Sequence, residues 1–264
     1  MFDVSFLNRL RNAELDLILP HLPAGARLLE FGAGTGIQAR RLADLGFDVT
    51  AVDLATSEYS GHRQFPILDY DGQRIPLPDA SVDVVYSSNV LEHVPKIQET
   101  LVEFRRVTKP GGHGVHLMPS VAWRFWTSTA GPFTSAQAAL HLLRLLRPSP
   151  NPRTSRGAEA RRALKFLLAG LLPLAHGTSR DAFSELWTFR AAAWRRTFAR
   201  AGFEVDSIRP TGLFHSGHML MGPALGITSR TRLARHLGSA ANLYKVHTKP
   251  LDDRPVLPGR KDSK

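Results

Sequence analysis

The stretch from Arg27 to Asp53 constrains the fold of this chain more than any other, because it predicts a strand, a glycine turn, a helix and a second strand in close succession. Between Gly32 and Gly36 every second residue is glycine. A strand that turns directly into a helix requires the positive φ angles that glycine adopts. The N-terminus of that helix offers unpaired N–H groups to a carboxylate or phosphate, and an acid closing the second strand can bind ribose hydroxyls. The stretch therefore predicts a cradle for a nucleoside-containing cofactor.

The spacing of the glycines distinguishes between cofactors. Dinucleotide-binding turns follow G-x-G-x-x-G or G-x-G-x-x-A, and from Gly32 that register places Ile37 where the third small residue should be. The chain instead has acid-x-G-x-G-x-G, from Glu30 to Gly36. This pattern resembles motif I of the class I S-adenosylmethionine (SAM) methyltransferases, and Asp53 stands where that family has its ribose-binding acid. The resemblance implies SAM as the cofactor.

The resemblance covers residues 26–118. Leu68-Asp69, the segment IPLPDASVDVVYSSNVLEHV, and a helix leading to KPGG and a strand follow in the order of the methyltransferase type 11 group. Asp69 is implied to lie beside the adenine, although a second acid, Asp71, leaves this assignment open. Val82 stands where the family usually has an aromatic residue. The cofactor-binding residues implied by the resemblance are Glu30, Gly32, Ala33, Gly34, Gly36, Asp53, Leu54, Asp69, Tyr70, Ser88 and Asn89.

Predicted strands and helices alternate along the chain, which favours a parallel sheet with right-handed crossovers. The expected fold class is α/β: a Rossmann-like, seven-stranded, mostly parallel sheet with helices on both faces and a helical insertion after strand five. We expect the SAM-binding core in residues 1–118, a helical basic lid in 119–185, and the rest of the core in 186–249 with a second insertion at 212–238. The tail, 250–264, is expected to be disordered.

Apolar spacing predicts the positions of individual elements. The first helix should cover the first strand or reach over the cofactor, and the last strand should be antiparallel. Helices are predicted at 5–22, 54–61, 89–107 (with a restart at Pro95), 186–201 and 231–237. Amphipathic helical stretches are predicted at 138–146 and 161–172, and further strands at 64–68, 82–86, 113–118, 203–208 and 242–249.

The net charge of +11 is concentrated in the second half of the chain. Residues 1–140 carry 12 Lys/Arg and 15 Asp/Glu, whereas residues 141–200 carry 12 and 3. Arginines among leucines in 141–200 fit a lid that contacts an anionic membrane surface or an acidic, lipid-linked substrate. A solvated arginine-rich face is the plainer alternative. The sequence shows no secretory signal and no apolar run of membrane-span length, so we expect a cytoplasmic protein, peripheral to a membrane at most.

Histidine is the expected catalytic residue, because a hydroxyl acceptor needs a base with a pKa near neutral. The resemblance places His93 near the active-site end of the sheet; a histidine that packs against or caps a helix is the alternative interpretation. His215 and His218 could face the same pocket from the second insertion. Their spacing also suits metal ligands, but no carboxylate or cysteine accompanies them, so no metal is predicted.

The expected function is methyl transfer from SAM to a small-molecule, lipid or saccharide acceptor, with the oligomeric state left open. A nucleic-acid methyltransferase is the first alternative, although SSNVLEH replaces the Asn/Asp-Pro-Pro-aromatic motif of base amino-methylating enzymes. A NAD(P)-dependent Rossmann enzyme should show a Tyr-x-x-x-Lys pair, and neither Tyr70 nor Tyr86 has a lysine four residues on. A non-catalytic SAM-binding partner protein would keep the cradle but lack an acceptor pocket.

Overall fold

A computed structural model of the chain describes residues 4–145, 156–171, 175–217 and 222–248. Within these ranges the chain forms seven strands and eight α-helices. The strands are β1 (Arg27–Phe31), β2 (Asp48–Leu54), β3 (Ile67–Tyr70), β4 (Val82–Ser88), β5 (Thr108–Pro119), β6 (Phe203–Pro210) and β7 (Ala241–Thr248). The helices are α1 (Val4–Ile18), α2 (Ile37–Asp44), α3 (Ile97–Val107), α4 (Val121–Leu145), α5 (Arg156–Leu171), α6 (Ala182–Thr188), α7 (Ala191–Arg200) and α8 (Ile227–Leu237).

The strands form a single sheet in the order β3-β2-β1-β4-β5-β7-β6. The first five strands are parallel to one another, and β7 runs antiparallel to both β5 and β6. The predicted fold class, including the antiparallel last strand, is confirmed. Since β1 lies between β2 and β4, the carboxyl ends of these three strands meet at one edge of the sheet, where α/β folds bind ligands.

Each face of the sheet is covered by helices, because successive side chains of a strand point to opposite faces. On one face Leu28 and Val84 pack with the α1 residues Leu15 and Ile18 and with Leu42 of α2. The helix predicted at 5–22 therefore does cover the first strand. The opposite face is covered by α3 and α7, whose buried residues pack against the other side chains of the same strands: Leu29, Phe31, Val85, Leu101, Phe104, Trp194 and Phe198.

One helix prediction in the first half was wrong and a second was right only in part. No α-helix forms over 54–61; that segment contains turns and the 3-10 turn Ser60–His62, since its serines and glycine favour turns over helix. The segment 89–107 restarts after Pro95 as predicted, but before the restart it forms only the 3-10 turn Leu91–His93, and α3 begins at Ile97. Pro95 lies between the two and cannot donate a backbone hydrogen bond, so the first turn does not continue into α3.

A third prediction, one continuous helix over 186–201, was also wrong. The chain forms α6 and α7 instead, separated at Phe189 and Arg190. Arg190 is extended, with φ −67° and ψ 143°, and precedes α7 as its N-cap. Phe189 is buried beside Trp123 of α4, so burial of this ring accompanies the break.

The segment that follows β5 is helical, and its helices extend beyond the stretches predicted at 138–146 and 161–172. α4 continues through Pro132 and packs extensively along α5. Gly131 and Gly170 bring the two backbones into contact, because a Cβ on either glycine would overlap the other's carbonyl oxygen. β5 begins at Thr108, earlier than predicted, and α8 begins at Ile227.

Some predictions fall outside the described residues. They include the tail at 250–264, most of the loop between α4 and α5, and His218. Among the described helices, none is both long enough and apolar enough to span a membrane.

Candidate active site

The glycine turn after β1 adopts the backbone that the sequence predicts. Gly32, Gly34 and Gly36 have φ angles of +74°, +58° and +76°. A Cβ on Gly32 would lie 2.5 Å from Val90, and one on Gly36 would lie 2.7 Å from the Cβ of Phe65. Both positive φ and the lack of space therefore require glycine, and α2 begins directly after the turn with its first N–H groups unpaired by side chains.

Asp53 lies at the carboxyl end of β2 and is held in place by the glycine turn. One carboxylate oxygen accepts the N–H of Gly34 at 2.7 Å, and the other accepts the N–H of Leu54 at 2.8 Å. The turn is also tied to β2 by the N–H groups of Gly32 and Ala33, which donate to the carbonyl of Val52. These bonds give the carboxylate one fixed orientation while leaving it partly exposed.

Glu30 is a buried acid at the end of β1, with a relative exposure of 3%. It pairs with Tyr86 of β4 across the sheet, and its Oε2 has no hydrogen-bond partner in the described part of the chain. Burial, and secondarily the charge of Asp53, raise the pKa of Glu30 to about 8. A buried carboxyl with an unpartnered oxygen is costly in a folded protein, and a ligand bearing a positive charge would compensate for it.

The two acids at the end of β3, Asp69 in the strand and Asp71 directly after it, differ in what they contact. Asp71 accepts the N–H groups of Gln73 and Arg74 at 2.8 and 2.9 Å, so it closes a turn. Asp69 lies beside Asp53 in the sheet register and pairs with Arg63 at 2.9 Å. This geometry favours Asp69 over Asp71 as the acid nearest the cofactor edge.

Tyr70, Leu54, Ser88 and Asn89 complete the set of sequence-predicted cofactor residues. The Tyr70 ring is buried in the core against Phe31, so its backbone rather than its ring lies at the edge. Leu54 is 43% exposed beside Asp53. Asn89 has a φ of +54°, donates its N–H to the carbonyl of Leu117, and ends β4 next to β1. The structure thus gathers the predicted residues along the ends of β1, β2, β3 and β4.

His93 lies beyond β4 in the turn Leu91–His93, next to the buried Glu92. Its ring packs edge-on against His176, with ring centroids 4.6 Å apart. Burial lowers the pKa of His93, against the opposing charge of Glu185. Burial and the neighbouring His93, Arg124 and Arg11 lower the pKa of His176 to about 4, so both imidazoles are neutral near pH 7.

His215 reaches the same region from the second insertion, but it is engaged by an acid. Its Nε2 lies 3.3 Å from Glu14 of α1, and Glu14 also pairs with Arg11 at 2.8 Å. Burial by itself would raise the pKa of Glu14, but Arg11 and His215 lower it to about 2. His215 and Glu14 therefore tie the second insertion to α1.

A buried ion pair fixes the segment that carries His176. Arg124 of α4 donates to one oxygen of Glu185 at 2.9 Å, and both side chains are almost fully buried. The other oxygen of Glu185 accepts the N–H groups of His176 and Gly177 at 2.6 and 2.7 Å. The helical insertion is thereby anchored above the end of β4.

Comparison with known proteins points to one family. A family model for a methyltransferase domain matches residues 29–115. The demethylmenaquinone methyltransferase of Renibacterium salmoninarum is 36% identical over 137 residues, which cover 48% of this chain and 55% of that protein. The malonyl-[acyl-carrier protein] O-methyltransferase of Serratia marcescens is 38% identical over 92 residues, 33% of this chain and 36% of that protein. A SAM-dependent methyltransferase structure from Mesorhizobium loti superposes with a TM-score of 0.51 at 19% identity, over 89% of this chain and 97% of that one.

Residues 29–115 are a domain of the class I SAM-dependent methyltransferase family. The predictions of this family and of SAM as its cofactor are confirmed. The matches span about half or less of the curated relatives' length, and at 19% identity the structural likeness shows the fold alone.

The residues at the strand ends fit the cofactor of this methyltransferase family. α2 begins directly after the turn at Gly32, Gly34 and Gly36 with no side-chain cap, so its first N–H groups suit the carboxylate of a methionine group. The unpartnered oxygen of Glu30 suits its ammonium group, and the fixed carboxylate of Asp53 suits vicinal ribose hydroxyls.

Several residues of the site were not singled out from the sequence. Tyr59 lies over Gly34, where a Cβ would be 3.5 Å from its ring. His176 and Glu185 are separated from Glu92 and His93 by more than eighty residues, so no local pattern connects them. Glu92 directly precedes His93, and an acid in an apolar 3-10 turn was the one signal that sequence reasoning could have used.

Proposed function

We propose that the protein transfers a methyl group from SAM to a small-molecule acceptor. The observation that carries this proposal is the fixed carboxylate of Asp53 beside the glycine turn, with neutral imidazoles beyond the neighbouring strand end. The relatives support the acceptor class, since their names give demethylmenaquinone and malonyl-[acyl-carrier protein] as substrates.

The helical insertion after β5 packs against the acceptor side of the site, which supports a small acceptor rather than a nucleic acid. Thr178 donates its N–H to the carbonyl of Glu92 at 2.9 Å, and the rings of Trp123 of α4 and His176 lie tilted to each other with centroids 4.6 Å apart. The insertion therefore packs directly against the turn after β4. A site bounded by this insertion admits a small group more readily than a polymer strand and can align it for a displacement at carbon.

We assign roles to individual residues within this proposal. In the bound cofactor, the sulfonium sulfur would be the leaving group when the methyl carbon is transferred. Asp53 binds the ribose hydroxyls, and Glu30 binds the ammonium of the methionine group. Asp69 lies on the adenine side. His93 lies on the acceptor side, where a neutral imidazole can accept the proton of a hydroxyl acceptor.

Calorimetric titration with S-adenosylhomocysteine tests the cofactor half of the proposal. The wild type should bind it and not NADH, and Asp53→Ala should lose binding by about 1–3 kcal/mol or more, because bound hydroxyls lose a charged partner. Asp48→Ala, at the far end of the same strand, is the matched control and should bind normally. Binding of NADH alone would refute the methyltransferase proposal.

We further infer that the α4–α5 hairpin contacts an anionic membrane surface. With a rotation of about 100° per residue around the helix axis, the exposed apolar residues of α4 fall within an arc of about 80°. α5 adds two exposed leucines that lie beside basic side chains. Residues 141–200 carry 12 Lys/Arg against 3 Asp/Glu, so the part of the apolar stripe at Leu143, Leu164 and Leu168 lies in a basic region. The exposed apolar residues are Phe125, Phe133, Leu140, Leu143, Leu164 and Leu168.

Vesicle flotation tests this contact. The wild type should float with phosphatidylserine-containing vesicles and less with pure phosphatidylcholine, and the F133S/L140S variant should remain in solution. Val102→Ser removes an equally exposed apolar residue from α3 and is the matched control. Equal flotation of all three proteins, or of none, would contradict the inference.

A further inference from the structure

Glu92, His93 and His176 form a cluster of metal-ligating side chains in which the methyl-transfer proposal gives no role to Glu92. One ligating atom from each residue lies within 4.8 Å of the others. Glu92 and His93 come from the 3-10 turn after β4, and His176 comes from the segment before α6. Two imidazoles and one carboxylate are a ligand set that divalent transition metals favour.

Glu92 lacks the partner that a buried carboxylate requires. Its side chain is 0% exposed, and neither of its oxygens has a hydrogen-bond partner in the described residues. The Nε2 of His93 lies 3.7 Å from its Oε1, beyond hydrogen-bond distance. Nearly all buried polar side chains in native proteins are partnered, so this carboxylate points to a cation that the protein chain does not supply.

The backbone around the cluster is fixed. Glu185 holds the amides of His176 and Gly177, and Thr178 donates to the carbonyl of Glu92. A Cβ on Gly177 would overlap the carbonyl oxygen of Glu92, so glycine permits this close approach of the two segments. The His176 ring is also supported by Trp123. Such support of ligand-bearing segments is what a metal site needs beyond its ligands.

The two nearest arginines are already neutralised. Arg11 pairs with Glu14, and Arg124 pairs with Glu185. The acids and bases of these two pairs balance, so neither arginine compensates the buried side chain of Glu92.

We propose that Glu92, His93 and His176 bind a divalent transition-metal ion of the zinc type. Zinc bonds to nitrogen and oxygen of about 2.0–2.1 Å place ligand atoms about 3.3 Å apart, so the cluster needs to contract by about 1.5 Å at most. His93 is 43% exposed and can rotate to achieve this. Three protein ligands leave a coordination position open, as in catalytic zinc sites.

The open position has a consequence that rests on the proposed function. An acceptor hydroxyl bound there would lose its proton more easily, because a zinc-type ion lowers the pKa of a bound oxygen. His93 would then act on the acceptor through the metal rather than as a base. Metal binding itself does not depend on this role.

The test is a calorimetric titration of tag-free, chelator-treated protein with Zn²⁺. The wild type should bind one equivalent, and His176→Ala, His93→Ala and Glu92→Gln should each bind at least ~10-fold more weakly. His236→Ala removes an exposed histidine of α8 and should bind like the wild type. His176 is exposed, so its substitution tests the site even where Glu92→Gln impairs folding.

Absence of Zn²⁺ binding by the wild type, or equal affinity of the wild type and His176→Ala, would overturn the proposal. Titration of the same chelator-treated protein with S-adenosylhomocysteine separates the two proposals. If the protein binds S-adenosylhomocysteine but not Zn²⁺, only the metal-site proposal is refuted. If it binds Zn²⁺ but not S-adenosylhomocysteine, only the methyl-transfer proposal is refuted.

Discussion

Substitution of Glu30 by glutamine should change how the stability of the cofactor-free protein depends on pH. The native state raises the pKa of Glu30 from 4.5 to about 8, chiefly through burial. The native protein therefore keeps a proton that the unfolded chain releases above pH 4.5. The stability that this group contributes is fully present below pH 4.5 and is lost as the pH rises to 8.

The structure sets the size of this effect. Proton linkage between pKa values of 4.5 and about 8 removes about 4 kcal/mol of stability from the wild type between pH 5 and pH 9. Glutamine has a similar shape and does not titrate, so Glu30→Gln should lose none of this stability. From pH 5 to pH 9, the unfolding free energy of Glu30→Gln should therefore rise, relative to that of the wild type, by the amount that the wild type loses.

Urea unfolding at pH 5, 7 and 9 measures the difference. Glu92 has a pKa raised in the same direction, and its contribution cancels because it is present in both proteins. Glu99→Gln changes an exposed acid and should unfold in parallel with the wild type at every pH. If the curves of Glu30→Gln and the wild type were also parallel, Glu30 would not be a buried, protonated acid and the reasoning would fail.

Two further substitutions test how the site is built. Gly36→Ala should destabilise the protein by about 2–4 kcal/mol in thermal unfolding, because positive φ and a steric clash both oppose a Cβ. Gly46→Ala, with positive φ and open space, should cost about 1–2 kcal/mol. Equal losses in the two variants would argue against the clash. Glu185→Ala should lower the free energy of unfolding in denaturant by about 3–5 kcal/mol, because it removes the buried counter-charge of Arg124. Glu99→Ala breaks an exposed ion pair and should lower it by under about 1 kcal/mol. A small loss in Glu185→Ala would mean that Arg124 reaches solvent.

The sheet could be predicted from the sequence because its signals are local. Alternation between apolar strands and amphipathic helices, and glycines at a strand-to-helix turn, act within a few residues. The positions of Asp53 and Asp69 then follow from parallel pairing, since acids that end neighbouring parallel strands meet at one edge. Predictions failed where a local pattern was overridden, as at Phe189, whose ring is buried beside Trp123 at the point where the predicted helix divides.

The acceptor side of the site could not be predicted in the same way, because its geometry depends on contacts between segments distant in sequence. His176 has no motif around it; its position follows from the two hydrogen bonds that Glu185 accepts and from the ion pair of Glu185 with Arg124. Each of these residues alone resembles an ordinary surface residue of a basic helical region. Together they carry a histidine to within 4.8 Å of the ligating atoms of Glu92 and His93. A family with a shared cofactor edge can therefore differ in its acceptor chemistry through a few buried polar contacts in an insertion, and in this chain those contacts lead to the two histidines and the unpartnered acid.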